Sequence, residues 1–336
     1  MAGRLVGLRA RSWACRSTIP VVLTLAFVVA CGSPAARDDD TGGAAARVGR
    51  DPVLWPFSFD SPWNMPVGDG LVLAEGECTR AVRDPAGEAW VNIETWSHPL
   101  YRATGTDPRV DIVHDGVVEA TWSVPSGASP SLPAYPEGDA HMHVVDAPGE
   151  TVTESWRARP VDGGWAVDSW ARVDLRGSGV GTDGVRIYGG SAIGGLLRAG
   201  EVGAGARHAV AVSLPLEDLA PTFTWPATVV SSGRDDEMSG VVPVGQHLAL
   251  PADVDEGIVS TAAGLALLRA LRDYGGYVVD HAGNFAVYAE FGADEWDGAR
   301  DDIDAIHARL ACSTNNSEAS PGGPGDRVAP YAPPFE

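Results

Sequence analysis

Thr151-Val152-Thr153-Glu154-Ser155-Trp156 and Trp165-Ala166-Val167-Asp168-Ser169-Trp170-Ala171-Arg172, split by Asp162-Gly163-Gly164, decide the fold class. Val152, Glu154 and Trp156 recur at every second position. Across the Asp-Gly turn, Trp165, Val167 and Ser169 alternate with Asp168, Trp170 and Arg172. Period-two alternation places successive side chains on opposite faces of a strand, and Asp-Gly supplies the positive φ that a tight hairpin turn needs. The segment therefore predicts a β-hairpin, with Trp156 and Trp170 placed to share a face.

The same reading extends outward. Apolar or alternating runs predict further strands at 110–113, 116–124, 141–145, 208–214, 228–231, 247–250, 277–280 and 285–290. Helical spacing appears only late. Ala263, Leu267, Ala270, Leu271 and Tyr274 predict a helix over 260–274, capped by Ser260 and ended by Gly275. Trp296, Ala299, Ile303, Ile306 and Leu310 predict a second helix over 294–310. Strands followed by helices point to a mainly β chain: a β-sandwich or jelly-roll-like single domain over 53–312 with two C-terminal α-helices. Residues 31–52 read as a flexible tether, and 313–336, rich in Pro, Gly, Ser and Asn, as a disordered tail.

The N-terminus reads as an address. Arg4, Arg9, Arg11 and Arg16 precede an apolar run over 19–30, and Cys31 follows Val28-Val29-Ala30. The run is shorter than the roughly 20 residues a bilayer span needs. A basic region, an apolar region and a small residue before the cut describe a secretory signal over 1–30. With Cys31 next, the segment resembles a bacterial lipoprotein signal, which implies a lipid on Cys31. The expected location is the outer face of the cytoplasmic membrane, with the membrane as a partner through that lipid.

Charge and composition exclude several classes. The formal net charge is −21, and losing the four signal arginines takes it to −25. So acidic a chain repels nucleic acid, and none is expected as a partner. All 24 basic residues are arginine. Without lysine there is no P-loop, no Schiff-base chemistry and no Ser-x-x-Lys acylase, so no nucleotide or other cofactor is expected. Of four cysteines, Cys15 leaves with the signal and Cys31 carries lipid. Cys78 and Cys312 remain, and in an exported protein they most simply pair.

Asp139-Ala140-His141-Met142-His143 is the leading candidate site. On a strand, Asp139, His141 and His143 share a face. An Asp–His pair suits proton transfer, two histidines two apart can share a metal, and surface histidines at a strand start are the plain alternative. No metal ligand set is assigned. Gly189-Gly190-Ser191-Ala192-Ile193 misses the nucleophile elbow, because Ile193 stands where G-x-S-x-G needs glycine. Arg186 and Tyr188 beside it are candidate substrate contacts. His208 starts an apolar strand, and Asp280 ends one.

Several short pieces, taken in order, resemble a broad family of exported bacterial proteins without an assigned activity. They are Asp60-Ser61-Pro62-Trp63-Asn64, Asp139-x-His141, Gly194-Gly195-Leu196, His208-Ala209, Trp225-Pro226-Ala227, Pro243-Val244-Gly245 and Ala270-Leu271-x-x-Tyr274-Gly275, with Val279-Asp280 and Trp296 beyond. The resemblance implies a shared β-rich fold over roughly 55–300. It also implies a pairing of Asp139 with His141, since the family pattern has no histidine at the position of His143. Asp280 matches the pattern; His281-Ala282 stands where it has Asn-Gly.

The 11 tryptophans complete the expectation. Indole faces stack on sugar rings as readily as they fill cores. The sequence therefore predicts either a carbohydrate-active enzyme or a non-catalytic envelope module that binds glycan or protein. As an enzyme it would be a glycoside hydrolase or polysaccharide lyase, with polysaccharide as its partner. Asp139, His141, His208 and Asp280 would carry protons, and Trp156, Trp170, Tyr188 and Arg186 would hold substrate.

Overall fold

The computed structural model describes residues 49–83, 88–181, 184–230 and 233–335. The signal, Cys31 and most of the proposed tether lie outside them. The decisive hairpin forms, but as two nested ladders in different sheets. Thr151–Trp156 pairs antiparallel with Ser169–Asp174, while the tip pairs Arg159–Val161 with Gly164–Val167 around Gly163. Arg157, at φ 54°, breaks the rising strand so that its tip joins Arg109–His114 and Val117–Ser123 in a second four-stranded sheet. Trp156 sits opposite Ser169 and Trp170 opposite Ser155. That one-residue offset places the two indoles on opposite faces, which corrects the shared face expected above.

The chain is mainly β, a sandwich-like single domain. Ser169–Asp174, Thr151–Trp156, Met142–Val145 and Leu100–Arg102 form one layer, in that order. Val145, Val152 and Val173 stand in a row on one face and join the main core. Met142 and Val144 point the other way, onto a smaller core with Ile112, Trp122 and Val167. Both faces of Met142–Val145 and of the middle of Thr151–Trp156 are therefore buried, whereas the edge strand Ser169–Asp174 alternates, with Ala171 and Val173 buried and Arg172 and Asp174 exposed.

A seven-stranded mixed sheet carries the main core. Its order is Leu73–Ala74, Ala311–Ser313, His247–Ala249, Gly276–His281, Val210–Leu214, Ala286–Tyr288 and Trp90–Asn92. The last two strands run parallel, with Ala286 opposite Trp90 and Tyr288 opposite Asn92. The Ala262–Asp273 helix buries Leu267, Leu268, Ala270 and Leu271 in the main core. Its cap is Thr261 rather than Ser260, and the Asp302 carboxylate accepts the backbone N–H of both residues at 2.8 and 2.9 Å. Gly275 ends it at φ 74°.

The second predicted helix divides into a 3₁₀ segment, Asp294–Asp301, and a short α-helix, Ile303–His307. Its apolar stripe is buried as expected. Trp296 and Ala299 lie three apart, the 3₁₀ period, and Gly298 between them weakens an α-helix. The 228–231 run forms no strand over its described residues.

The expected disordered tail is instead laid along the domain through 335. Ala311–Ser313 is a sheet strand, and Arg327 donates to the carbonyls of Pro66, Pro321 and Gly323. Arg50, in the expected tether, stacks 3.9 Å from the centroid of the Phe335 ring. The tail's polar groups are picked up one at a time: the Gly70 N–H donates to the Pro324 carbonyl at 3.0 Å, the Tyr274 hydroxyl to the Pro330 carbonyl at 3.1 Å, and the Gly322 N–H to the Asn316 side chain at 2.9 Å. Cys78 and Cys312 are bonded, tying the Glu77–Arg83 helix to this last strand. Among the described residues no helix is long and apolar enough to cross a membrane.

Candidate functional site

A cleft of about 950 Å³ opens at the edge of the seven-stranded sheet. Its floor is one face of the two edge strands: Trp90 and Asn92 on one, Ala286 and Tyr288 on the other. Ser213 lies opposite both Asp280 and Ala286, so Asp280 belongs to the same face. Glu94 and Trp96 extend the series past the strand, so that every second residue from 90 to 96 lines the cleft. Asp139, Glu217, Arg234, His281 and Arg300 complete the walls.

Trp90 and Trp96 are each 42% exposed. Trp96 holds φ 60°, a left-handed conformation uncommon outside glycine, pinned by its N–H to the Leu132 carbonyl at 2.7 Å. Backbone strain of this kind costs on the order of 1 kcal/mol or more, and here it presents an indole to solvent. The two arginines are charge-paired: Arg234 with Glu237 at 2.6 Å, and Arg300 with Asp297 at 2.8 Å. Glu94, Asp139 and Glu217 leave the cleft acidic.

Asp139 precedes its strand, which begins at Met142, and accepts the Trp156 indole N–H at 3.0 Å. Asp280 is 17% exposed and pairs with Arg186 at 3.3 Å. Burial pushes the Asp280 carboxyl above its usual range; Arg186 pulls it down, and the charge of Asp139 adds to the rise. Two candidate carboxylates are thus within electrostatic reach of each other, Asp139 in the cleft lining and Asp280 behind it.

Behind the Tyr288 wall lies a histidine cluster. His98, His141 and His143 are 0%, 4% and 0% exposed, and one nitrogen from each falls within 4.8 Å of the others. His141 and His143 share a face by strand period. His98 comes from the crossover between Trp90–Asn92 and Leu100–Arg102, held where the Phe291 N–H donates to its carbonyl at 3.1 Å. His98 Nδ1 is 2.8 Å from His143 Nε2, and its Nε2 is 2.5 Å from Arg186 Nη2. The Arg186 guanidinium also lies 3.9 Å from the Tyr288 ring centroid. Burial drives the His141 pKa down to about 3 and holds His98 and His143 well below the usual histidine value, with Arg186 adding to each. All three are neutral at pH 7. The Nδ1 atoms of His141 and His143 are buried without a hydrogen-bond partner.

The remaining predicted residues fall elsewhere. His208 pairs with Glu201 at 3.1 Å and lines a small separate recess with Trp55 and Trp63. Burial alone would lower its pKa, but Glu201 outweighs that and raises it. Tyr188 is fully buried, its hydroxyl donating to the Ser191 carbonyl at 2.9 Å. Trp170 packs on the smaller core and donates to Glu119 at 2.7 Å. Ser191 donates to the buried Glu154 carboxylate, which also accepts the Ala192 N–H at 2.8 Å. Burial raises the Glu154 pKa against the pull of those donors. The pair clamps the glycine-rich turn to the Thr151–Trp156 strand and leaves no free nucleophile.

His98, Trp90, Trp96 and Glu154 escaped the sequence reading as site residues. For the tryptophans a signal existed: Trp90, Asn92, Glu94 and Trp96 recur at period two. Searches of family models, curated proteins and solved structures return no match to this chain.

Proposed function

We propose that this is an exported, lipid-anchored envelope protein whose edge-of-sheet cleft binds a neutral polysaccharide and hydrolyses it. The observation that carries the reading is that two solvent-facing tryptophans, Trp90 and Trp96, line one cleft with Asp139, whose charge reaches Asp280 just behind the lining. Exposed indoles beside hydrogen-bonding Asn92, Glu94 and Glu217 match the needs of a sugar ring, which has apolar faces and a polar rim.

Charge selects the glycan. A polysaccharide lyase acts on uronates, and a polyuronate would meet an acidic cleft whose arginines are already paired, on a chain of net charge −21. A neutral glycan meets no such repulsion, which favours hydrolysis over elimination.

Glycoside hydrolysis uses one carboxyl as general acid and a second as base or nucleophile. Asp280, raised by burial, is the acid in this scheme, and Asp139, oriented by the Trp156 indole, is the second carboxylate. His281, whose backbone N–H donates to Asp280 at 2.9 Å, fixes the acid's rotamer. His208 has no part in this scheme.

The test is affinity electrophoresis of the mature protein through neutral and uronate polysaccharides, with product release followed on the bound ones. Retardation by a neutral glycan that Trp90→Ala and Trp96→Ala abolish supports the reading. Binding with no product, unchanged in Asp139→Asn, would leave a glycan-binding module. Retardation by uronates alone would overturn the charge argument.

A further inference from the structure

We propose that His98, His141 and His143 form a binding site for a single copper ion in its monovalent state. The proposal stands apart from the glycan reading, because it rests on the layer behind the cleft.

Three observations converge. First, three imidazoles from two chain segments bring one nitrogen each within 4.8 Å, near enough that small side-chain shifts bring all three to the ~2.0–2.1 Å of a metal–nitrogen bond. Second, two buried Nδ1 atoms, on His141 and His143, have no partner. A buried unpaired polar atom carries a desolvation cost that a metal bond removes. Third, the frame is rigid: His143 lies within the Met142–Val145 ladder, with Leu100 opposite it on one side and Glu154 on the other.

The surrounding charges choose the ion. Imidazole suits both zinc and copper. Zinc is divalent and almost always takes a fourth ligand in structural sites. Among the described residues no fourth histidine, cysteine or carboxylate joins the three rings. Arg186, with one positive charge, sits against His98, while Asp280 and Glu154 are the carboxylates around it. Beside the Arg186 guanidinium a monovalent ion adds one buried positive charge where a divalent ion adds two, and each such charge is costly in a buried setting.

Arg186 acts as a brake. Its Nη2 donates to His98 Nε2 at 2.5 Å, so His98 carries its proton on Nδ1 and donates to His143 Nε2 at 2.8 Å, which leaves the His143 proton on Nδ1. Ligation through Nδ1 of each ring moves its proton to Nε2, and at His98 that sets two donors face to face. Arg186 must then shift toward Asp280, its ion-pair partner. Arg186→Gln would supply a carbonyl oxygen to accept the new Nε2 proton, the usual outer partner of a metal-bound histidine.

The test uses the full mature chain with its disulfide intact. Cu(I), kept reduced with ascorbate, is titrated against bathocuproine disulfonate, with Zn(II) in a parallel calorimetric arm. X-ray absorption of the copper-loaded wild type reads the ligands directly. The expected result is one Cu(I) per chain with three nitrogen scatterers and no sulfur. His143→Asn should weaken binding at least ~100-fold, and Arg186→Gln should tighten it roughly 10-fold. Absence of stoichiometric Cu(I) in the wild type, or sulfur in its coordination shell, would overturn the site whether or not the variants fold. Zn(II) bound more tightly than Cu(I) would overturn the charge argument.

Discussion

Acid should unfold this domain from its buried histidines, and His247 provides the cleanest case because it lies outside the cleft and the copper site. The ring is 1% exposed, beneath Gly275, with Ser313 Oγ 3.2 Å from Nδ1 and the Tyr274 carbonyl 3.3 Å from Nε2. Burial lowers its pKa from 6.5 to about 4. A histidine with a depressed folded pKa binds fewer protons folded than unfolded. Stability therefore rises with pH between about 4 and 6.5, is fully present above 6.5, and is lost on acidification through that window. Each unit is worth ~1.4 kcal/mol, so moving from pH 7.5 to 5.0 costs about 2 kcal/mol through His247 alone. That is a large share of a typical stability of roughly 5–15 kcal/mol. In metal-free protein His141, near 3, works in the same direction, whereas the raised carboxyls of Glu154 and Asp280 work against it. The assay is urea denaturation followed by tryptophan fluorescence at pH 7.5, 6.0 and 5.0 in EDTA. The midpoint should fall between the first and last, and His247→Gln should flatten the slope. A midpoint independent of pH in both proteins would refute the reasoning.

Three further outcomes follow from the geometry. Replacing Cys78 and Cys312 with serine releases a loop spanning 234 residues of sequence, worth up to ~5 kcal/mol by chain entropy, and should lower the thermal midpoint sharply in a melting scan. Gly275→Ala should destabilise by several kcal/mol in the same scan, because φ is 74° and a Cβ would fall 2.2 Å from His247 Nε2. Glu154→Ala strips the partner from Ser191 and from the Ala192 N–H, costing about 1–3 kcal/mol for each group left unpaired, read as a drop in the urea midpoint.

Much of the fold is legible in the sequence because hairpin chemistry and helical spacing are local. Asp162-Gly163 marks the turn, and the 260–274 spacing marks the helix. What was not legible depends on pairing between distant segments. Nothing local says that Arg157 breaks the strand and sends the hairpin tip into another sheet. Trp90–Asn92 is three residues long, too short to stand out, although its period-two continuation through Glu94 and Trp96 was readable. The Asp139–His141–His143 motif held only part of its cluster. His98 arrives from a crossover between sheets with no spacing to announce it, and Arg186 reaches the cluster across the interior. The 313–335 segment misled by composition, since proline and glycine signal loops whether or not other side chains hold them down.

The central claim is that the Trp90–Trp96 cleft takes neutral glycan and that Asp139 and Asp280 cleave it. The direct measurement is product release from a panel of neutral and uronate polysaccharides, following new reducing ends and absorbance at 235 nm together. The account predicts new reducing ends from a neutral polymer, lost in Asp139→Asn and Asp280→Asn, with no rise at 235 nm from any uronate. A rise at 235 nm, or product that both variants still release at the wild-type rate, would contradict it.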